Sequence, residues 1–151
     1  MHRLRRKTFI PAPLDEVFAF FSQPRNLNQI TPPWLHFKIL TEDIIQMSTG
    51  ATIDYSIRLH GISLKWNTQI IDWDPPHHFV DLQLKGPYKF WRHIHHFEQT
   101  DSGTVMQDTV EYLVPGKMLA PLFHFLFVQK DLERIFDYRE KMLAEIFAKK
   151  E

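Results

Sequence analysis

Between His36 and Pro115 the apolar residues recur at every second position, and this stretch constrains the chain more than any other. Turn signals at Thr49-Gly50, His60-Gly61, Asp74-Pro75-Pro76, Gly86-Pro87 and Asp101-Ser102-Gly103 cut it into about six extended runs, an antiparallel meander. Tyr55, Ile57 and Leu59 share one face of one run, and Trp66, Thr68 and Ile70 one face of the next. Each strand is therefore half-buried, and the apolar face needs a cover.

The cover follows in the sequence. From roughly Pro121 to Ala148 the period changes to that of a helix about 40 Å long. Leu132, Ile135, Phe136, Leu143 and Ile146 lie on one side and Lys130, Glu133, Asp137 and Lys141 on the other. Ahead of the meander, Leu4 to Ile10 reads as a further strand, broken by Pro11 and Pro13. Leu14, Val17, Phe18 and Phe21 then form a short helix, with Asp15 and Glu16 near its positive end, that stops at Pro24. A second helical piece from Arg25 to Ile30 ends at Thr31-Pro32-Pro33.

The expected class is α+β: a curved antiparallel sheet of about seven strands wrapped around a long C-terminal helix, with two short helices after the first strand. A bent sheet cannot lie flush on a straight rod, so this arrangement tends to leave a cavity between them.

The chain has 151 residues, 44% of them hydrophobic, which predicts one domain over residues 1–151. Eighteen basic and 18 acidic residues cancel, giving no field that favours nucleic acid or an anionic membrane. The basic run "HRLRRK" at 2–7 leads straight into Thr8, Phe9 and Ile10 and reads as the wet face of a strand. There is no cysteine, hence no disulfide, thiolate site or cysteine nucleophile. Without an apolar leader or a run of about 18 apolar residues, the expectation is a cytoplasmic protein with no stable membrane insertion.

The chemistry concentrates in "KFWRHIHHF", residues 89–97. Alternation on a strand puts Trp91, His93, His95 and Phe97 on one face and Arg92, Ile94, His96 and Glu98 on the other. If the following turn centres on Asp101-Ser102, Asp108 lies opposite His95; if on Ser102-Gly103, it lies opposite Phe97. Both registers carry Met106, Asp108, Val110 and Tyr112 to the histidine face. In the preceding strand, Phe79, Asp81 and Gln83 oppose Val80, Leu82 and Leu84, and periodicity alone would turn the second set inward.

Several roles share these residues. His93 and His95, with Asp108 or Asp81, have the donor types of a metal site, although His-x-His is a short and common string. A histidine oriented by Asp108 makes a general base in a partly dry pocket. His93, His95 and Asp108 can also simply satisfy one another inside the protein. Between these lies a binding role, with the same groups fixing the polar end of an otherwise apolar ligand.

The segments "FIPAPLDEVFAFFSQPRNL" (9–27), "HGISLKWNTQIIDWDPPHHFVDLQLKGP" (60–87) and "GPYKFWRHIHHFEQTDSGTVMQDTVEYLVPG" (86–116) resemble the SRPBCC or START-like helix-grip superfamily. More narrowly they are similar to its stand-alone bacterial ligand-binding domains, the polyketide cyclase and dehydrase-like proteins. The strings W-x-H-x-H-x-F at 91–97 and D-x-V-x-Y at 108–112 carry the likeness. The resemblance implies a cavity between sheet and C-terminal helix for a lipid, polyketide or quinone type of molecule. It turns Phe79, Asp81 and Gln83 inward and places Trp91, His93, His95, Asp108 and Tyr112 at the cavity border.

The reading adopted is the binding of a hydrophobic or amphipathic small molecule. Trp66, Phe79, Trp91 and Tyr112 supply apolar wall, and Asp81, Gln83, His93, His95 and Asp108 the polar contacts. The alternatives are a cofactor-free cyclase, dehydratase or isomerase using His93 or His95 with Asp108, and a protein-interaction module. Neither a metal nor a cofactor is called for. "PLFHFLFVQ", 121–129, is apolar nearly all round and reads as core, as a cavity mouth, as the face of a homodimer or as a membrane-docking edge.

Overall fold

The computed structural model describes residues 1–116 and 127–148. β1 (His2–Ile10) leads into α1 (Leu14–Phe21), a 3-10 turn at Pro24–Asn26, α2 (Leu27–Ile30) and a second 3-10 turn at Pro33–Leu35. β2 (Lys38–Ile39), β3 (Thr52–Leu59), β4 (Ile62–Asp74), β5 (His78–Lys85), β6 (Phe90–Gln99) and β7 (Thr104–Leu113) form the meander, and α3 (Gln129–Ile146) covers it. The seven strands form one antiparallel sheet in the order β1-β7-β6-β5-β4-β3-β2. The first and last strands pair along nine residues, from His2 opposite Tyr112 to Ile10 opposite Thr104.

The expected class, an α+β helix-grip arrangement, is therefore present. The alternating burial of β6, with Trp91, His93, His95 and Phe97 inside and His96 exposed, follows the period-two pattern. β4 curves by two register shifts against β5, between Asn67 and Thr68 and between Ile70 and Asp72; such shifts bend a strand and sharpen its twist. In β1, the basic side chains at positions 3, 5 and 7 are exposed, as a wet strand face should be.

One part of the meander is less regular than its sequence suggests. β2 has only two residues, because Leu40 N–H and Thr41 N–H both donate to Asp54 O, at 2.7 and 3.3 Å, and Thr41 Oγ1 accepts from Asp54 N–H at 2.9 Å. That local exchange ends the ladder, and residues 40–51 continue without regular structure, with Ile44 exposed and Met47 packed against the core. Such an edge offers little template to a second chain.

The core has two clusters. One includes Phe18, Phe21, Phe79, Phe97, Met106 and Leu143; the other includes Trp66, Trp91, Val110, Tyr112, Leu132 and Phe136. α3 reaches both, burying Leu132, Phe136 and Leu143 in keeping with its apolar stripe. Residues 121–126 of the apolar segment lie outside the described residues. No helix among the described residues is long and apolar enough to cross a membrane.

Phe97, 1% exposed, joins α1 to the sheet, its ring centroid 5.4 Å from both Phe18 and Phe21. Phe97→Ala is expected to lower the unfolding free energy by about 3–5 kcal/mol. Urea denaturation measures this, and a loss below about 1 kcal/mol would show that α1 is not anchored through this ring.

Candidate functional site

A cavity of about 190 Å³ lies between the sheet and α3, with walls taken from both core clusters. Trp66 from β4, Trp91 from β6, Phe79 from β5 and Phe136 from α3 supply much of its apolar surface. Asp81, His93, His95 and Arg139 make the acidic and basic part of its lining, and Tyr55 and Tyr88 add two phenols.

Strand register explains how these groups meet. Directly across the sheet, Asp81 of β5 faces His93 and Asp108 of β7 faces His95, the first of the two hairpin registers expected. The hydrogen bonds run diagonally instead. His93 Nε2 donates to Asp108 Oδ1 at 2.7 Å, and His95 Nε2 to Asp81 Oδ2 at 2.8 Å. Diagonal neighbours on a sheet lie within reach of long side chains, and an imidazole spans that gap. The crossing brings the two rings face to face, with centroids 3.7 Å apart and planes 29° from parallel. Phe79 stacks on the other side of His95 at 4.1 Å.

Three nitrogens converge on one oxygen of Asp108. Besides His93, His95 Nδ1 stands 3.3 Å from Oδ1 and Arg139 Nη2 3.8 Å from it. The His95 contact is too poorly aligned to be a hydrogen bond and the Arg139 contact too long, so both act as charge attraction. The Arg139 guanidinium lies over the rings of Phe21 and Phe136, at 5.1 and 5.6 Å from their centroids.

The titrations follow from this geometry. Burial alone would raise Asp108, but the Arg139 charge and its contacts with His93 and His95 hold it far below the usual carboxylate range. Asp81 is likewise lowered, burial being outweighed mainly by His95. Burial, with the neighbouring His95 charge, pushes His93 below the ordinary histidine value despite Asp108. For His95 burial again acts downward, but the two carboxylates prevail and its pKa is raised. A carboxylate only accepts, so neutral His93 must carry its proton on Nε2; its one hydrogen bond leaves Nδ1 uncommitted.

The structure thus gathers Trp66, Phe79, Asp81, Trp91, His93 and His95 around the cavity and sets Asp108 behind the histidines. The Asp81 face of β5 turns inward, the orientation that the family resemblance implied and periodicity did not. Gln83 and Tyr112 stand off the wall. Gln83 closes the loop to β6, donating from Nε2 to Tyr88 O at 2.7 Å and accepting from Tyr88 N–H at 3.2 Å. Tyr112 is buried beside Trp91 and Tyr88. Arg139 was not expected; its signal was a cation three residues after Phe136 and four before Leu143, inside the apolar stripe.

Donor atoms of Asp81, His93 and His95 lie within 4.8 Å of one another, close enough to share a metal ion. A cation there would have to compete for His95 Nε2 and Asp81, already bonded to each other, beside the Arg139 charge.

Sheet, helix and intervening cavity define a helix-grip domain. Residues 10–136 match the family described as polyketide cyclase / dehydrase and lipid transport, and the chain belongs to that family. Among solved structures, protein CV1439 of Chromobacterium violaceum superposes with a TM-score of 0.76 at 13% identity, covering 99% of this chain and 100% of that one. TTHA0849 of Thermus thermophilus gives 0.69 at 16% identity, over 96% and 99% of the two chains. A nucleoside-diphosphate sugar epimerase of Corynebacterium glutamicum gives 0.68 at 26% identity, over 94% of this chain but only 28% of that longer one. No curated protein matches the chain.

Asp108→Asn removes the charge that opposes Arg139 and His95 while keeping the shape. It is expected to lower stability by about 3–5 kcal/mol near neutral pH, the cost of stranding buried partners. A carboxylate with a depressed folded pKa contributes stability that is present above its unfolded value of about 3.9 and lost as the pH falls toward the folded value. Urea midpoints measured from pH 7 to pH 3 should therefore fall on acidification in the wild type and fall less in the variant. Parallel curves would contradict the assignment.

Proposed function

We propose that the cavity binds one compact, largely apolar molecule whose polar end meets the His93, His95, Asp81 and Arg139 wall. The observation that carries this reading is the make-up of the lining, aliphatic and aromatic for the most part with a small ionisable group of side chains. Ligand sites commonly combine apolar walls with a few placed polar groups. The family description, which names polyketide cyclases and lipid transport, supports the same class of ligand.

Volume sets the scale. An apolar cavity of about 150 Å³ holds a benzene-sized guest, so about 190 Å³ suits one ring with a substituent. A long acyl chain or a fused multi-ring polyketide would have to extend beyond this volume or part the sheet from α3.

A second reading rests on His93. A neutral imidazole with Nε2–H bonded to Asp108 and Nδ1 uncommitted is arranged as a general base. Next to a carbonyl it would take the α-proton onto Nδ1. The C–H electron pair would move into the carbon–carbon bond and the carbonyl electrons onto oxygen, giving an enolate without any cofactor. Cyclase and isomerase chemistry both begin with such a step.

Native mass spectrometry of the freshly purified protein, followed by denaturing extraction, tests binding. The expected result is a small organic molecule at near one-to-one occupancy that is lost in Ile57→Trp, which fills the cavity from β3. For an added ligand, Trp91→Ala should weaken affinity by about tenfold or more, the scale of an aromatic wall removed, and His93→Ala by less. For the enzyme reading, His93→Ala should instead abolish α-proton exchange into deuterated water while most affinity remains. Equal binding by wild type and Ile57→Trp would contradict the cavity as the site.

A further inference from the structure

Arg139 enters the cavity with Nε and Nη2 both buried and neither hydrogen-bonded. His95 Nδ1 and Trp66 Nε1, on residues lining the same cavity, are also buried without a hydrogen-bond partner. Stranding one buried donor costs roughly 1–3 kcal/mol, and more when it is charged. Several together in one cavity call for an explanation. The carboxylate of Asp108 accounts for the position of Arg139, as do the faces of Phe21 and Phe136, but none of them accepts a hydrogen bond from it. Arg139 and Trp66 can only donate, and so can His95 when protonated. What these walls lack is an acceptor.

Charge narrows the choice. The carboxylates of Asp81 and Asp108 are matched by the Arg139 guanidinium and by His95, whose protonated form the two carboxylates favour. The cluster is then already neutral. An anionic ligand would bring an uncompensated charge into a buried site, and an ammonium group would meet donors. An uncharged oxygen acceptor meets both conditions.

Resting on the reading of the cavity as a ligand site, we propose that Arg139 is its specificity-determining residue. It receives the carbonyl oxygen of an uncharged, ring-sized ketone or quinone-like molecule, with His95 beside it and Trp66 available to a second oxygen. The planar guanidinium presents two N–H groups in a fixed fork, so a carbonyl with two lone pairs suits it better than a hydrocarbon of the same shape.

The test compares four one-ring probes of similar size by titration calorimetry: acetophenone, α-methylstyrene, benzoate and benzylamine. α-Methylstyrene has the shape of acetophenone with the oxygen replaced by a methylene. Wild type is expected to bind acetophenone at least tenfold more tightly than each of the other three. Arg139→Met, close in length and apolar, should erase the preference by weakening acetophenone and not α-methylstyrene. Arg139→Lys keeps the charge near Asp108 but loses the fork, and should fall between the two. A preference for acetophenone that survives in both variants, or a wild type that favours benzoate or α-methylstyrene, overturns the assignment to Arg139. If the wild type binds none of the probes, or binds acetophenone and α-methylstyrene with equal affinity, this inference fails; the ligand-cavity reading itself fails only if native mass spectrometry also finds no retained molecule.

Discussion

The carboxylate of Asp108, 2% exposed, is the constraint around which this interior is organised. A lone carboxylate at that depth would be prohibitively costly, and it persists because β6 delivers two imidazoles and α3 a guanidinium to the same oxygen. The pairing ties elements far apart in the chain. β7 contributes the charge, β6 the hydrogen bond, and α3 the countercharge, 3.8 Å away. Asp81 repeats the arrangement from β5 through His95, so the two stacked imidazoles form a bridge between two carboxylates.

The same arrangement accounts for the cavity. β4 shifts register twice against β5, and large side chains reach toward one another from the sheet and from α3. They close off the space without filling it. Below, Phe97, Phe18 and Leu143 pack densely; beside it, Trp91 and Tyr112 do the same. The remaining volume borders the polar bridge, so its lining is apolar for the most part and ionisable at His93, His95, Asp81 and Arg139. An apolar guest would be held by the rings, and only its polar end would interact with the charged groups.

Much of this was legible before any coordinates. Alternation along 91–97 set which histidines point inward, because a strand has only two faces. Asp108 was confined to that face by either hairpin register, and the paired strands chose between them. Three features were not legible in the hydrophobic periodicity, and only the inward turn of Asp81 was implied by the family resemblance. The diagonal bonding depends on the register of β6 with both neighbours at once, and a local pattern carries neither. The inward turn of Asp81 runs against hydrophobic alternation, since Val80, Leu82 and Leu84 look like the core face until His95 is known to lie within reach. Arg139 sits on the apolar stripe of α3, where a charge reads as an interruption, and its partner Asp108 lies on β7, joined to it only by the tertiary fold. Gln83 fell on the expected face but is occupied by the Tyr88 backbone, a loop contact no periodicity encodes.

The buried cluster is polarised: its two carboxylates favour the protonated form of His95, while burial favours the neutral form of His93. Long-range proton–nitrogen NMR on protein labelled at the histidine ring nitrogens measures this directly, with His93→Gln and His95→Gln used to assign the signals. At pH 6.5, where an unperturbed histidine is about half protonated, His95 should be predominantly doubly protonated, and His93 predominantly neutral with its proton on Nε2. Two neutral rings, a charged His93, or a His93 proton on Nδ1 would show that the cluster is not polarised in this way.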